Sequence, residues 1–311
     1  MAEDLGPQLE LAPRRPRAAP FSYRVMRRVI EYGRLARLDR PIGIWLLLWP
    51  VLWALWIAAS GRPAPRVLIV FVLGVFTMRA AGCVINDLVD RNIDPRIRRT
   101  RQRPLAARRV TPHEAIVLFV VLAAAALWLV LQLNALTIRL SLVGAGLTVS
   151  YPFVKRLFPL PQLYLGISFG GWGVPMAFAA QTGQVPRIAW VIFMAAVVWA
   201  VIYDTLYAMV DREDDLKIGV RSTAIAFADM DRAMIGLLQL LMLAALALAG
   251  RTLHFGNWYY GALGVAAATF VYQQCLIRHR DPDACLRGFL NNNYTGVAIF
   301  AGILLQYLYG T

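Results

Sequence analysis

Apolar residues occur along the chain in nine blocks that are separated by polar or charged segments. The blocks lie near residues 42–59, 67–86, 115–132, 136–151, 161–180, 188–210, 233–250, 257–277 and 288–308. About 20 apolar residues in a helix cross the ~30 Å hydrocarbon core of a bilayer. The short alternating segments that are typical of membrane barrels are absent from the sequence. The pattern therefore predicts an all-α integral membrane protein with nine transmembrane helices, because helices satisfy their own backbone hydrogen bonds in lipid.

The composition argues against a soluble protein. Hydrophobic residues make up 59% of the chain and charged residues 16%, against about 25% charged in soluble domains. The three cysteines and three histidines are scattered, so neither a disulfide framework nor a zinc site is expected. The net charge of +14 could suit nucleic acid, but in a membrane protein basic residues first indicate orientation. We expect no nucleic acid partner.

The positions of lysine and arginine predict the orientation. Residues 1–40 and the loops on the same side hold 26 of the 32 basic residues, and the opposite loops hold four. Since cytoplasmic loops carry the excess positive charge, we expect a cytoplasmic N-terminus and a periplasmic C-terminus. Residues 1–33 are expected to form a disordered basic tail, and residues 34–311 the transmembrane domain. A basic patch is expected to lie against anionic headgroups; it comprises Arg24, Arg27, Arg28, Arg34 and Arg37.

Three aspartates and an asparagine follow the second apolar block. In a continuing helix Asp87, Asp90 and Asp94 would share one face, with Asn86 beside them. Carboxylates on one stripe repel each other unless a cation neutralises them, and Mg²⁺ binds one or two carboxylates together with phosphate oxygens. The alternative is a solvated acidic helix end that pairs with nearby arginines.

A second acidic stripe ends the sixth apolar block. Asp204, Asp211 and Asp215 share one helix face with Tyr207, and Asp214 lies one position away. Asp204 falls inside the predicted bilayer boundary, where an unpaired carboxylate costs ~3 kcal/mol or more. It is therefore a functional candidate.

Basic side chains accompany both stripes. They are Arg96, Arg98, Arg99, Arg101 and Arg103 after the first, Lys217 and Arg221 after the second, and Lys155 and Arg156 between them. Such cations bind phosphate oxygens directly while bridging Mg²⁺ links the same oxygens to carboxylates. The arrangement predicts a diphosphate site at the cytoplasmic face. The excess of positive charge in cytoplasmic loops would by itself explain most of these arginines, but it does not explain the aspartates.

Arg79 lies inside the second predicted span, two helical turns before Asn86 and on the same face. A guanidinium buried there needs an anionic partner. This partner is either a protein aspartate or a carboxylate on a substrate bound below the diphosphate.

These motifs resemble those of the UbiA superfamily of intramembrane prenyltransferases, and within it the branch that acts on 4-hydroxybenzoate in ubiquinone biosynthesis. The N-D-x-x-D-x-x-x-D motif begins at Asn86, R-T-x-x-R-P-L begins at Arg99, and D-x-x-x-D begins at Asp211. The stretches 37–56 and 151–170 are also similar, so the resemblance runs from about residue 34 to the end.

The resemblance implies nine helices around a central cavity in a bacterial inner membrane, with the active site at the cytoplasmic face. It also implies Mg²⁺, a polyprenyl diphosphate donor and 4-hydroxybenzoate as acceptor. The residues implied to be catalytic, holding Mg²⁺-diphosphate, are Asp90, Asp94, Asp211 and Asp215. The other expected substrate-binding residues are Arg79, Asn86, Asp87, Arg99, Arg103, Tyr151, Lys155, Arg156, Asp204 and Tyr207.

The chemistry that suits these groups is ionisation of an allylic diphosphate, followed by attack of the phenol ring through the carbon ortho to its hydroxyl. Aromatic faces could stabilise the carbocation by cation–π contact; the candidates are Tyr151, Phe153, Tyr203 and Tyr207. Two alternatives stay open at this point. One is a related enzyme with another acceptor, such as haem, naphthoate, homogentisate or chlorophyllide. The other is an ion transporter, although transport sites usually lie nearer the bilayer midplane.

Overall fold

The computed structural model describes residues 21–97 and 100–310, and this part of the chain consists of helices and their connections without a β-strand. Its α-helices are α1 (Phe21–Leu35), α2 (Ile42–Ala58), α3 (Pro65–Asp90), α4 (Pro112–Val130), α5 (Ala135–Leu157), α6 (Pro161–Leu165), α7 (Gly173–Thr182), α8 (Arg187–Ile218), α9 (Thr223–Ala226), α10 (Asp231–Thr252), α11 (Asn257–Leu276) and α12 (Pro282–Tyr309). A π-helix, Gly166–Gly171, follows α6, and three short 3-10 helices are Asp94–Arg96, Ala228–Met230 and Ile277–His279.

Each of the nine apolar blocks falls on helical structure. Within the described residues, seven helical stretches are long and apolar enough to cross a membrane. They are Pro65–Asp90, Pro112–Val130, Ala135–Leu157, Pro161–Thr182, Arg187–Lys217, Ala228–Thr252 and Asn257–His279. Helix α2 is apolar but has only 17 residues, and α12 is not among the seven. The all-helical membrane architecture is thus established, while nine crossings and the orientation of the termini stay predictions.

The π-helix lies directly against α8. A Cβ atom added at Gly166 would come 2.8 Å from the backbone oxygen of Val197, and one at Gly170 would come 2.6 Å from Cβ of Ala200. Glycine is therefore required for this close approach. The contact fixes the π-helix beside the central helix α8, whose Trp199 is fully buried.

Three consecutive asparagines join α12 to three other helices. Asn291 Oδ1 accepts a hydrogen bond from Gln273 of α11 at 3.0 Å. Asn292 Oδ1 accepts one from the indole of Trp199 at 2.9 Å, and Asn293 Oδ1 one from the indole of Trp49 in α2 at 2.9 Å. These bonds satisfy polar groups inside an apolar bundle, where an unpaired amide is costly.

Helix α1 differs from the expected disordered tail, because residues 21–33 form most of it. Glu31 is buried and accepts hydrogen bonds from Arg34 and from Arg109 in the loop before α4. The Tyr32 hydroxyl donates to Glu114 of α4 at 2.9 Å, which raises the pKa of Tyr32. An amphipathic pattern and these ion pairs explain the helix. Residues 1–20 lie outside the described residues, so the division into tail and domain is still a prediction.

Candidate active site

The first aspartate motif lies at the C-terminal end of α3. Asn86, Asp87 and Asp90 belong to the last two turns of α3, but the helix ends at Asp90. Asp94 instead begins the 3-10 helix Asp94–Arg96. The expected continuous helix through Asp94 is therefore wrong, since Pro95 has no backbone N–H and cannot continue an α-helix.

One arginine nevertheless brings Asp94 back to the motif. Nη1 of Arg103 donates to Oδ1 of Asp87 and to both carboxylate oxygens of Asp94, all at 3.0 Å. Both aspartates are buried, and burial raises the pKa of Asp94. The loop after α3 is thereby folded back onto the helix end.

Asp87 has a second arginine partner that the sequence did not reveal. Nη2 of Arg37 donates to both oxygens of Asp87, at 2.9 and 2.8 Å. Arg37 was expected in the headgroup patch, but its side chain points inward to the motif. The correction follows from the turn between α1 and α2, in which Arg37 adopts a left-handed conformation with φ of 59°.

Asp90 is paired with the C-terminal end of α5. The Lys155 amine donates to Asn86 Oδ1 at 2.6 Å and to Asp90 Oδ2. Nη2 of Arg156 donates to Asp90 Oδ1 at 3.0 Å and to the carbonyl of Val89 at 3.1 Å. Three of the cations expected at a diphosphate site, Arg103, Lys155 and Arg156, thus contact aspartates of the first motif directly. Arg99, by contrast, lies outside the described residues.

The second motif lies on the last turns of α8, as expected. Asp215 is buried, while Asp204, Tyr207 and Asp211 are half-buried along the same helix. Asp214 pairs with Lys217 at 3.6 Å, and its side chain is 38% exposed. Asp214 therefore lies on the outer side of the stripe.

A buried aspartate outside both motifs holds the end of α8. Asp231, at the start of α10, is fully buried and accepts from Arg212 of α8 at 3.1 Å. Arg280, in the connection between α11 and α12, also pairs with Asp231 at 2.8 Å. No sequence motif marks Asp231, because its partners are 19 and 49 residues away.

Arg79 lies in α3, two helical turns before Asn86. It is close enough to Cys83, and to Tyr203, Tyr207 and Asp204 of α8, for electrostatic interaction, and Tyr151 is similarly close to Asp204, Asp90 and Arg79. The Tyr203 hydroxyl is buried and, among the described residues, has no hydrogen-bond partner. A buried hydroxyl of this kind can receive a polar group of a ligand.

Gly43 in the first turn of α2 makes room for Arg79. A Cβ atom at this position would lie 2.6 Å from Nη2 and 2.7 Å from Nε of Arg79. The guanidinium therefore packs directly on the Gly43 backbone. The sequence analysis missed this contact, because no spacing rule links α2 to the middle of α3.

An apolar cavity of about 270 Å³ begins at Arg79. Its walls come from α2, α3, α4, α5, the π-helix and α7, with Met78, Phe119, Phe169, Trp172 and Met176 among the larger side chains. Leu127, Leu142 and Val149 also line it and are each more than 40% exposed on the outside of the bundle. The cavity thus leads from Arg79 to exposed apolar side chains of α4 and α5.

The described residues contain no group of three or more His, Cys, Asp or Glu side chains that could hold a metal ion. The two aspartate motifs come from different helices and offer only carboxylate oxygens, with the Asn86 amide nearby. Oxygen donors of this kind suit Mg²⁺ when substrate phosphates complete its coordination. The donor set therefore fits a metal that binds together with a diphosphate.

Comparison with known proteins gives matches along most of the chain. Residues 47–304 match the UbiA prenyltransferase family. A protein of Methylococcus capsulatus named 4-hydroxybenzoate octaprenyltransferase is 58% identical over 92% of this chain and 97% of its own length. A protein of the same name from Alkalilimnicola ehrlichii is also 58% identical, over 90% of this chain and 95% of its own length.

Solved structures share the fold. The apo structure of a UbiA homologue from Aeropyrum pernix superposes with a TM-score of 0.73 at 23% identity, covering 85% of this chain and 97% of its own. A UbiA homologue from Archaeoglobus fulgidus bound to GPP and Mg²⁺ gives a TM-score of 0.68 at 18% identity, covering 87% and 99%. At such identities these structures support the fold alone.

Proposed function

Because the chain belongs to the UbiA prenyltransferase family, we propose that it transfers a polyprenyl group from a polyprenyl diphosphate to 4-hydroxybenzoate in ubiquinone biosynthesis. The new bond forms at the ring carbon ortho to the hydroxyl, and diphosphate is released. The observation that carries the proposal is the cluster of aspartates and cations at the ends of α3 and α5, together with the apolar cavity that begins at Arg79. The names of relatives at 58% identity support the acceptor.

We place the diphosphate between the aspartates of the two motifs and the cations that follow them in the chain. Asp90, Asp94, Asp211 and Asp215 would hold Mg²⁺ through their oxygens, and bound Mg²⁺ would neutralise charge on the leaving diphosphate. Cationic side chains then contact the remaining phosphate oxygens; they are Arg103, Lys155, Arg156 and, by resemblance, Arg99. Asn86 orients Lys155, whose amine it already contacts.

The prenyl chain and the acceptor occupy the space below. The first isoprene units enter the cavity that begins at Arg79, which keeps water away from the allylic cation. Tyr151, Tyr203 and Tyr207 present aromatic groups near this point, where cation–π attraction stabilises the cation. Arg79 binds the acceptor's carboxylate as a bidentate partner, with Asp204 nearby.

The covalent change is a substitution on the ring. The bond between the allylic carbon and the diphosphate oxygen breaks, and its electron pair leaves with the diphosphate. The ring carbon of 4-hydroxybenzoate then forms a bond to the allylic carbon. The ring proton leaves to a carboxylate or to the diphosphate, which restores aromaticity.

The proposal also includes the orientation of the protein in the membrane. Nine crossings with a cytoplasmic N-terminus and a periplasmic C-terminus place both motifs at the cytoplasmic face of a bacterial inner membrane. Reporter fusions test this orientation: a fluorescent reporter after residue 311 should be silent in the periplasm, and alkaline phosphatase there should be active. The reverse result would contradict it.

The activity itself is tested with purified protein in liposomes. The assay supplies a labelled polyprenyl diphosphate and, in separate reactions, 4-hydroxybenzoate, dihydroxynaphthoate or homogentisate. We expect a prenylated product and free diphosphate with 4-hydroxybenzoate alone, and product mass and ring substitution are read by mass spectrometry and NMR. Preferential prenylation of another acceptor would overturn the proposed substrate, and no product with any acceptor would overturn the reaction.

A further inference from the structure

Asp87, Asp90 and Asp94 all accept hydrogen bonds from cationic side chains, but Asp87 is also held by Arg37, a residue that the proposed function does not assign to the diphosphate. Asp87 is only 1% exposed, and both of its oxygens already accept hydrogen bonds from arginine. We propose that Asp87 is a positioning residue that fixes the Arg103 guanidinium for the diphosphate, and that it does not itself bind metal or substrate. This inference rests on the proposed function of the same site.

The electrostatics of Asp87 argue against a metal ligand. Two guanidinium groups lie within 3.0 Å of its carboxylate. Asp90 also faces two cations, but Lys155 and Arg156 are both assigned to the diphosphate, whereas Arg37 stays with Asp87 when the diphosphate binds. Binding Mg²⁺ at Asp87 would place a divalent cation beside two fixed cations in a site of low dielectric constant. Charge-assisted pairs with arginine are strong and directional, and they favour a structural role.

The geometry of Arg103 shows what Asp87 positions. Arg103 uses a single nitrogen, Nη1, for its contacts with Asp87 and Asp94. Among the described residues, its Nη2 and Nε donate no hydrogen bond. A guanidinium is a rigid planar fork, so fixing one nitrogen sets the direction of the others. The remaining N–H groups are left for phosphate oxygens.

Arg37 makes the arrangement rigid from the other side. Leu35, two residues before Arg37, is fully buried and packs with Val84 and Leu105. Nη1 of Arg37 also donates to the backbone oxygen of Arg34 at 3.1 Å. Asp87 therefore joins three segments: the turn after α1, the end of α3 and the loop that carries Arg103.

A double-mutant cycle tests this role. The variants are Asp87→Asn, which keeps the shape of the side chain, Asp87→Ala, Arg103→Ala and the double variant Asp87→Ala/Arg103→Ala, with Asp90→Ala as the contrast. If Asp87 acts through Arg103, the double variant should bind diphosphate no more weakly than Arg103→Ala alone. Binding of inorganic diphosphate with Mg²⁺ to the purified full chain is measured by calorimetry, beside KM for the prenyl diphosphate.

We expect Asp87→Asn to raise KM for the prenyl diphosphate by ~10-fold, as for loss of one well-oriented charge-assisted bond, while the Mg²⁺ concentration for half-maximal activity stays unchanged. Asp90→Ala should shift that Mg²⁺ concentration upward. The same shift in Asp87→Asn, or additive losses in the double variant, would overturn the positioning role. Diphosphate binding without prenylation of any acceptor would contradict the proposed function and leave the role of Asp87 standing.

Discussion

Replacing Gly43 with alanine gives a direct test of Arg79, because the new methyl group meets the guanidinium itself. The Cβ atom would lie 2.6 Å from Nη2, 2.7 Å from Nε and 3.1 Å from Cζ of Arg79. Carbon atoms in contact prefer separations of about 3.5–4.0 Å, so the guanidinium must move by about 1 Å. Arg79 is a flexible side chain, so this movement leaves the packing of α2 and α3 in place.

A displacement of this size matters because the acceptor's carboxylate needs a fixed bidentate partner. Misplacing a substrate-positioning group by 1 Å can cost about 10²-fold. We therefore expect Gly43→Ala to raise KM for 4-hydroxybenzoate by ~10- to 100-fold, with KM for the prenyl diphosphate nearly unchanged. Arg79→Lys should change the two KM values in the same unequal way, since lysine lacks the planar fork.

The assay is steady-state kinetics in liposomes, with each substrate varied separately. Gly146→Ala is the matched control: it also adds a methyl group to a glycine in a helix, but nothing lies within 4 Å of that position. An unchanged KM for 4-hydroxybenzoate in folded Gly43→Ala protein would refute the reasoning. Equal rises in both KM values together with a lower thermal midpoint would instead identify Arg79 as a structural partner of Asp204.

Three other perturbations test the remaining parts of the site. Asp90→Ala or Asp211→Ala should reduce kcat/KM by at least ~10²-fold in a folded protein, the loss expected for a main electrostatic stabiliser; near-normal turnover in either variant would contradict the diphosphate assignment. EDTA should abolish prenyl transfer and added Mg²⁺ should restore it, so a rate that is insensitive to chelation would argue against metal-assisted departure. Asp231→Ala should destabilise the protein by ~1.5–3 kcal/mol, because a fully buried acceptor of two charged groups is lost; a thermal midpoint equal to that of the exposed control Asp229→Asn would refute this anchoring role.

The apolar helices were predictable because their hydrophobicity alone identifies them. An apolar block of sufficient length has few alternatives to a helix in lipid, and each block falls on helical structure. The stripe that ends α8 was equally accessible, since Asp204, Asp211 and Asp215 belong to one uninterrupted helix. Periodicity is reliable wherever a helix continues.

Helical periodicity was a poor guide where a helix ends or where segments distant in the chain meet. Asp94 follows the end of α3, and its place beside Asp87 depends on Arg103 rather than on helical spacing. The contact of Arg37 with Asp87 joins residues 50 positions apart, and no local pattern specifies it. Helix α1 was missed because its composition resembles a tail, while its order depends on buried partners such as Glu31.

The asparagines of α12 have a consequence for how the protein is made. The partners of these side chains in other helices, namely Trp49, Trp199 and Gln273, all precede α12 in the chain and are synthesised before it. The last helix therefore meets a surface of donors that already exists when it leaves the ribosome. Neighbouring helices thus supply hydrogen bonds that hold α12 in the bundle in addition to its apolar contacts.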